Sequence, residues 1–450
     1  MRSFYMKKGM IFLILMISMI LNSYGESINI SADGAVALAL ENNLTLQSDS
    51  LDLSMKERTH DTAWNAFVPE ISAGGGLSYS QMLFADPDPI YYSSTNEKWT
   101  VSASVSASLS LNAGVATGMK QYLIDYQAGL LSYDDAQKKI NRDVRKQYFN
   151  LITMETNLKL KEMDIALAQK RYEQARENYR NGLISELEML QSQVTAENNK
   201  PAYNSLLTSY KNALMNFKLI LGVPGSVDLV LTDSLDDLHL YKLDADDLIE
   251  KYSANRMDVL MINKQIESLK NTRKLKYQSE RTPWVSLSST WKTGVVDGFN
   301  GDNWDQDVWQ DSATIGLSLS FPLDGFIPGS STDVALENLD DQIQQLELQR
   351  QLIFDAAEVE IRNLVMTLQN SIDTIETYAL NVDLAEKSFE LATEAYGLGT
   401  RELLDVETAQ SGLLSASLNV LFEKYNYKTK LLDLEYAINS DDISAILEEK

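Results

Sequence analysis

The residue types that usually carry catalysis or bind metals are scarce in this chain. Its 450 residues include no cysteine and only two histidines, His60 and His239. Without cysteine there is no disulfide, thiolate metal site or cysteine nucleophile, and the two histidines do not form a metal-spaced pair. No G-x-S-x-G, Walker or dinucleotide-binding motif falls in a fitting strand–turn–helix context. The sequence therefore predicts a protein that is not an enzyme and uses no cofactor or resident metal.

The charged residues that recur in a pattern lie in two matching segments, roughly 217 residues apart. Each segment is a glycine turn followed by an acid, and the matching pairs are Tyr179 and Tyr396, Gly182 and Gly399, Leu187 and Leu404, Glu188 and Asp405, and Gln193 and Gln410. The second segment also carries a cation, Arg401, where the first has Ile184. An arginine between acids of neighbouring hairpins can hold those hairpins together. The alternative is that Arg401 and Glu188 are solvated helix-end charges, which contribute little.

The residues before each glycine turn repeat every seven positions. The first series is Val144, Leu151, Leu158, Ile165, Tyr172 and Tyr179, and the second is Ile361, Leu368, Ile375, Val382, Phe389 and Tyr396. A heptad series that ends in a glycine turn predicts two long helical hairpins, at 113–221 and 330–438. No proline lies between Ala113 and Arg180, so this helix could extend roughly 100 Å at 1.5 Å per residue. Pro201 is expected to kink or break the returning helix.

Two other pairs of segments alternate between apolar and polar residues, at 69–84 with 98–111 and at 284–294 with 312–323. The clearest alternation runs from Lys98 to Leu111, where one side is apolar and the other is made mostly of serine. Alternation over about ten residues is typical of a transmembrane barrel strand, which meets lipid on one face and water on the other. A half-buried strand in a soluble sandwich is the alternative, because it alternates in the same way.

Four strands from one chain cannot close a barrel, and open sheet edges are not tolerated in lipid. The smallest closed membrane barrels have about eight strands. Two copies of the chain would supply about eight strands and three would supply about twelve, and an open lumen favours three. The strand pattern thus predicts a homo-oligomer.

The first 25 residues have the features of a cleaved signal peptide. Arg2, Lys7 and Lys8 precede an apolar run from Ile11 to Leu21, and small residues follow that run. A membrane anchor is the alternative, but the run is shorter than the about 20 residues that a span needs. The remaining segments are repeat 1 at 26–221, a connector at 222–244 that is expected to be irregular, repeat 2 at 245–438 and a C-terminal tail at 439–450.

The segments inside the two strand pairs, Phe84–Glu97 and Gly294–Asp311, are polar and acidic, and we expect them at the exterior face. Asp302, Asp305 and Asp307 resemble part of a calcium-binding ladder, but a solvated acidic loop is the simpler interpretation. The formal net charge of −25 argues against a nucleic acid partner bound through phosphate contacts.

Three short motifs, together with the order of the segments, resemble one known family. The motifs are Asn181-Gly182-Leu183, then Leu398-Gly399-Thr400-Arg401, and then Leu404-Asp405-Val406 followed by Gln410. With the export signal and the strand pairs that follow Pro69 and Pro283, the sequence looks like the TolC-like outer-membrane efflux protein family over essentially all of the mature chain.

The resemblance implies the fold class and the assembly. It implies an all-α-dominated α+β membrane protein with an internal duplication, whose long antiparallel helical hairpins form a periplasmic α-barrel. Four strands per chain would contribute to a trimeric, 12-stranded transmembrane β-barrel in the bacterial outer membrane. The glycine turns would close the helical tunnel, and a periplasmic adaptor and an inner-membrane pump would dock there.

The resemblance also implies roles for single residues. Those that match turn segments in contact with adaptor hairpins are Asn181, Gly182, Leu183, Leu398, Gly399 and Thr400. Arg401 and Tyr396 match residues that lock the closed tip, Glu188 matches the opposing acid, and Asp405 matches an acid ring at the constriction. The next ring position falls on Thr408, which is not acidic, while the adjacent Glu407 is expected to point elsewhere. A second acidic ring is therefore left open.

The predicted function is that of a passive exit duct, which conducts substrate from the pump and adaptor to the exterior and is gated at the helix tips. Two alternatives stay open at this point. The duct could serve type I protein secretion instead of efflux, or the chain could be a periplasmic coiled-coil scaffold or adaptor without a barrel.

Overall fold

The computed structural model of the protein describes residues 27–81, 97–236, 238–296 and 309–440. The expected signal peptide and the acidic triplet Asp302, Asp305 and Asp307 lie outside these residues. Most of both expected exterior loops and nearly all of the C-terminal tail also lie outside them. Helices dominate the described residues, and a few strands accompany them.

The described helices and strands follow one another in a regular order. The helices are α1 (Ala32–Asn42), α2 (Leu44–Asp61), α3 (Gly114–Arg180), α4 (Glu186–Ile220), α5 (Ala245–Tyr252), α6 (Met257–Arg281), α7 (Ser331–Gly397) and α8 (Leu403–Ala437). The strands are β1 (Ser27–Ile30), β2 (Glu70–Gln81), β3 (Glu97–Leu111), β4 (Asp228–Leu231), β5 (Trp284–Val296) and β6 (Gln310–Ser320). Among the residues that the structure describes, no helix is both long enough and apolar enough to cross a membrane.

The chain divides into two compact units. The hairpin unit comprises residues 1–51, 131–260 and 352–450, and the strand unit comprises residues 52–130 and 261–351. Each unit draws on both halves of the sequence, so neither corresponds to a single repeat.

The strand unit holds a four-stranded antiparallel sheet with the order β2-β3-β5-β6. The two central strands come from different strand pairs and align Leu109 with Leu287. On one face, hydroxyl groups hydrogen-bond across neighbouring strands, at 2.7 Å between Ser72 and Ser106 and at 2.8 Å between Ser110 and Ser286. The other face is mostly apolar, and large side chains on it, such as Leu77, Ile315 and Leu317, are exposed. The edges formed by β2 and β6 pair with no further strand in the described part of the chain.

The hairpin unit is held by apolar residues of the predicted heptad series. Val144, Leu151 and Leu158 of α3 are buried, as are Ile361, Leu368 and Ile375 of α7. Val144 and Leu151 pack in a core that includes Tyr148 and Phe217. Ile361, Leu368 and Ile375 pack in a second core with Tyr427 and Leu434. The first three residues of each series therefore lie in the coiled packing that the seven-residue spacing predicts.

A parallel pair of strands, β1 and β4, was missed by the sequence reading. Ser27 pairs with Asp228 and Ile30 with Leu231, so the connector at 222–244 is not irregular throughout. The buried hydroxyl of Tyr148 donates to the Ile30 carbonyl at 2.9 Å and accepts from the backbone N–H of Thr232 at 3.1 Å. Strands of four residues are too short to show an alternating pattern, and their partners are distant in sequence.

Pro201 does not break the returning helix, which runs from Glu186 to Ile220. Proline removes the hydrogen bond to the carbonyl four residues earlier, here that of Glu197. Both residues are exposed, so water can satisfy that carbonyl and the helix continues.

Candidate gate at the hairpin turns

Both hairpins of the hairpin unit turn through a glycine in the left-handed conformation. Gly182 has a φ of +71° and Gly399 has a φ of +72°. An ideal Cβ on either glycine would meet nothing within 4 Å. The turns therefore need glycine for its backbone conformation and not for space.

The two turns use the same hydrogen bonds. In the first, the N–H of Gly182 donates to the Tyr179 carbonyl at 2.9 Å and that of Leu183 to the Asn178 carbonyl at 2.8 Å. In the second, the corresponding bonds run from Gly399 to Tyr396 at 2.9 Å and from Thr400 to Ala395 at 3.0 Å. This pair of bonds is the Schellman motif, which satisfies the last carbonyl groups of a helix. The backbone of Tyr396 is thus part of the turn itself.

The returning helices begin differently after these similar turns. Ser185 and Glu188 form a capping box at the start of α4: the Ser185 Oγ accepts from the Glu188 N–H at 3.3 Å, and a Glu188 carboxylate oxygen accepts from the Ser185 N–H at 3.2 Å. At the start of α8, Glu402 makes no side-chain cap bond, and Asp405 lies in the first turn. A negative charge there is favoured by the helix dipole.

Arg401 and Asp405 are brought together within one helix end. An Nη1 atom of Arg401 lies 3.5 Å from an Oδ2 atom of Asp405, and the two side chains are 64% and 45% exposed. Such an exposed pair stabilises the fold little. Because most of the Arg401 side chain is exposed, its guanidinium is accessible to another partner. Within one chain, the described ion pairs do not join Arg401 to Glu188, whose carboxylate caps its own helix.

Large apolar side chains are exposed at both turns. Leu183 and Leu398 are 71% and 74% exposed. On α4, the exposed apolar residues continue at helical spacing through Leu187, Leu190 and Val194. A contiguous apolar patch of this kind usually marks an interaction surface.

A buried polar cluster connects α3, α4 and α8, and the sequence reading did not anticipate it. The Arg171 guanidinium donates to the Gln410 side-chain carbonyl, and the Gln410 amide donates to Asp164. The Asn199 amide of α4 also donates to Asp164, at 3.0 Å. Arg171 and Gln410 are each only 8% exposed, so this cluster ties α8 to the first hairpin through buried charge-assisted hydrogen bonds.

Glu407 belongs to the same region and faces the first hairpin. The Thr195 hydroxyl donates to its carboxylate at 3.5 Å. Burial raises the pKa of Glu407, against the opposing effects of the Arg171 charge and the Thr195 hydrogen bond. Burial also lowers the pKa of Arg171, which the charges of Glu407 and Asp164 partly offset. Arg171 still stays protonated at neutral pH, because guanidinium is not deprotonated in proteins.

One sequence signal could have revealed this cluster. Asp164 and Arg171 are separated by one heptad and each directly precedes a residue of the apolar series, Ile165 or Tyr172. Charged residues that repeat every seven positions next to the apolar series can lie at the buried edge of the contact between helices. In the part of the chain that the structure describes, no group of histidine or acidic side chains could hold a metal ion.

The fold matches that of known outer-membrane channels. The Campylobacter jejuni CmeC outer membrane channel superposes with a TM-score of 0.73 at 17% identity, and the match covers 93% of this chain and 88% of that one. At this identity the likeness defines the fold alone.

Sequence comparison then defines the family. The chain is 21% identical over 434 residues to the outer membrane protein TolC of Escherichia coli K12, which covers 90% of this chain and 82% of that protein. It is 27% identical over 170 residues to TolC of Salmonella enteritidis, but that match spans only 36% of this chain and 34% of that protein. The sequence profile of the outer membrane efflux protein family matches residues 35–223 and 248–440. The chain belongs to this family, which is a family of channels and not a class of enzymes.

The glycine conformation at the second turn can be tested by substitution. Gly399→Ala should destabilise the turn by about 1–2 kcal/mol, because a Cβ is unfavourable at this positive φ. Gly397→Ala is the matched control, since Gly397 ends α7 without a positive φ and has open space for a Cβ. Hydrogen exchange at the Thr400 amide should accelerate in Gly399→Ala and not in Gly397→Ala. Equal exchange in the two variants would contradict the role of Gly399.

The raised pKa of Glu407 predicts a pH dependence of stability. In the unfolded chain, the Glu407 carboxyl has its ordinary pKa of 4.5. As the pH rises, the unfolded chain therefore releases this proton at a lower pH than the folded chain does. The contribution of Glu407 is therefore fully present below pH 4.5 and is lost as the pH rises through the raised pKa. The unfolding temperature of the native protein should fall relative to that of Glu407→Gln as the pH rises above 4.5.

Glu402→Gln is the control for this comparison, because it removes one exposed carboxylate from the same helix end. If the difference between the native protein and Glu407→Gln stayed constant across this pH range, burial would not govern the Glu407 carboxyl.

Proposed function

We propose that this protein is the outer-membrane exit duct of a tripartite efflux or secretion system. Three copies form the duct, which conducts substrate passively from a periplasmic adaptor and an inner-membrane pump to the exterior. The observation that carries the proposal is an open four-stranded sheet with one apolar and one hydroxyl-rich face. A duct of this kind has no catalytic step, so the pump drives the transport.

The sheet of the strand unit has the features that lipid requires. Ile315, Leu317 and Leu319 on β6 are 73–80% exposed and project to one face. The intervening residues are Gly316 and Ser318. An apolar face next to a polar one fits a wall between lipid and water. Because both edges are open and unpaired backbone groups are not tolerated in lipid, further strands must come from other copies. This reasoning favours a barrel over a scaffold that lacks one.

The helix α7 carries a second apolar stripe, which its own chain does not cover. Its residues are Leu352, Val359 and Met366 at seven-residue intervals, then Leu380, and then Leu384 and Leu391. All of them are more than half exposed. The buried stripe of the same helix packs within the chain, so this second stripe is available to a neighbouring copy. A helix with two apolar stripes fits a closed ring of helices.

The two halves of the chain follow one repeated plan in this proposal. The outgoing helices α3 and α7 have 67 residues each, and the returning helices α4 and α8 have 35 residues each. Their turns share the same hydrogen bonds, and the family profile matches each half once. Through an internal duplication, each chain supplies two similar helical hairpins to the ring.

The end of the hairpins at the two glycine turns, called the tip, is the proposed gate. The exposed surface of the tip is the proposed contact with the adaptor. Three copies of Asp405 near a narrow axis would concentrate negative potential. The accessible guanidinium of Arg401 would pair with an acid of a neighbouring hairpin, such as Glu188, and hold the tip closed. The apolar side chains of Leu183 and Leu398 would pack against the adaptor.

Conductance in planar bilayers tests the gate. Arg401→Ser should raise the conductance several-fold, because it removes the cation that would join neighbouring hairpins. Asp405→Asn should also raise it, because it removes the acid that contacts Arg401 at the tip. Arg180→Ser is the matched control: Arg180 forms a similarly exposed pair with Glu177 at the other turn, at 2.9 Å, and its loss should leave the conductance unchanged. Unchanged conductance in all three variants would reject the gate, and a soluble monomer would reject the duct.

A further inference from the structure

Most of the side chains on one face of the sheet in the strand unit carry hydroxyl groups. The strand register places them in rows across the sheet: Ser72, Ser106, Thr290 and Thr314 in one row, and Ser110, Ser286 and Ser318 in another. Hydroxyl groups donate and accept hydrogen bonds but carry no charge. A wall of this composition attracts water without preferring either sign of ion.

Lys292 interrupts this neutral face. It lies on β5 opposite Ser104 of β3 and Ser312 of β6, in the same alternating set as the hydroxyl residues. The side chain is exposed, and its ammonium group forms no ion pair within the described residues. Among the strand positions whose side chains the structure describes, it is the one cation on this face, and Glu70 at the start of β2 is the one acid.

We propose that Lys292 determines charge selectivity within the strand-built part of the duct. The three copies of Lys292 form a ring of ammonium groups that favours small anions over cations. This inference depends on the proposed trimeric duct, in which the hydroxyl-rich face lines the lumen. It adds a selectivity element of opposite sign to the acid at Asp405.

The dimensions of such a barrel make this ring effective. Twelve strands about 4.8 Å apart and tilted by about 40° enclose a backbone cylinder roughly 24 Å across. The backbone is then about 12 Å from the axis, and an extended lysine side chain brings its charge closer. The Debye length is about 10 Å in 0.1 M salt, so the potential of the ring reaches across the lumen.

The acid on the same face does not cancel this potential. Glu70 pairs with Ser108 of β3, whereas Lys292 pairs with Ser104 of that strand. Four residues along a strand span about 13 Å, which exceeds the Debye length in 0.1 M salt. The two charges therefore act at separate levels of the wall.

The absence of cysteine from the chain permits a direct test. Lys292→Cys introduces a single thiol, and the reversal potential is measured under a potassium chloride gradient in the Asp405→Asn background, which removes the acid at the tip. Loss of the ammonium groups should lower the anion-to-cation permeability ratio roughly twofold or more. A positively charged methanethiosulfonate should then restore the ratio, and a negatively charged one should lower it further.

Neighbouring positions provide the controls. Trp291 lies next to Lys292 but on the apolar face, so Trp291→Cys should not respond to either reagent. Ser104→Cys, opposite Lys292, should raise the ratio after reaction with the positive reagent. If Lys292→Cys fails to assemble, Lys292→Gln should show the same loss and Lys292→Arg should keep the native ratio.

The outcomes separate this inference from the proposed function. A channel whose selectivity is unchanged by these variants would overturn the role of Lys292 and leave the duct intact. A response at Trp291→Cys and none at Lys292→Cys would also overturn it, because the other face would line the lumen. A native protein that forms no channel would overturn the proposed function itself.

Discussion

The constraint on which the rest of this structure depends is that backbone hydrogen-bonding groups cannot be left unpaired in lipid. The sheet of the strand unit ends in two open edges, and its apolar face is uncovered. The open edges are not stable in a membrane for a single chain. In the proposed trimer, copies of the chain join edge to edge, which pairs the edges and leaves the apolar face against lipid. The proposed assembly would also cover the apolar stripe of α7, which its own chain leaves exposed. In this proposal, assembly completes the sheet that a single chain leaves open.

The hairpin unit combines rigid and adjustable parts. The first three residues of each heptad series are buried. Both turns are fixed by a left-handed glycine and two backbone hydrogen bonds. The cluster of Arg171, Gln410 and Asp164 ties α8 to the first hairpin. Beyond that cluster, the start of α8 buries Leu403 and Val406 and exposes the pair of Arg401 and Asp405. The ion pair of Arg401 and Asp405 is therefore the contact at this helix end that can change at least cost, as the proposed gate requires.

The sequence predicted the features that have a short period. Seven-residue spacing identified the buried residues of α3 and α7, and alternation identified the strands of the sheet. The β1–β4 pair had no such signal, because four residues are too few and the partners are distant. The helix α4 continues through Pro201 because water can reach the carbonyl group that proline leaves unpaired. The spacing of residues in the sequence does not show whether that group is exposed. Glu407 and Arg171 resemble solvated helix charges until their three-dimensional neighbours are known. The capping box of Ser185 and Glu188 does match a known spacing, which indicates a capping role for Glu188 besides the predicted one at the gate.

The most direct test of the account is the number of chains in the native particle. Native mass spectrometry of the protein extracted from outer membranes in a mild detergent would measure it. The account predicts particles of three chains, since four strands from each of three chains close the barrel. Single chains that remain folded in solution, or particles whose number of chains cannot close the sheet, would contradict it.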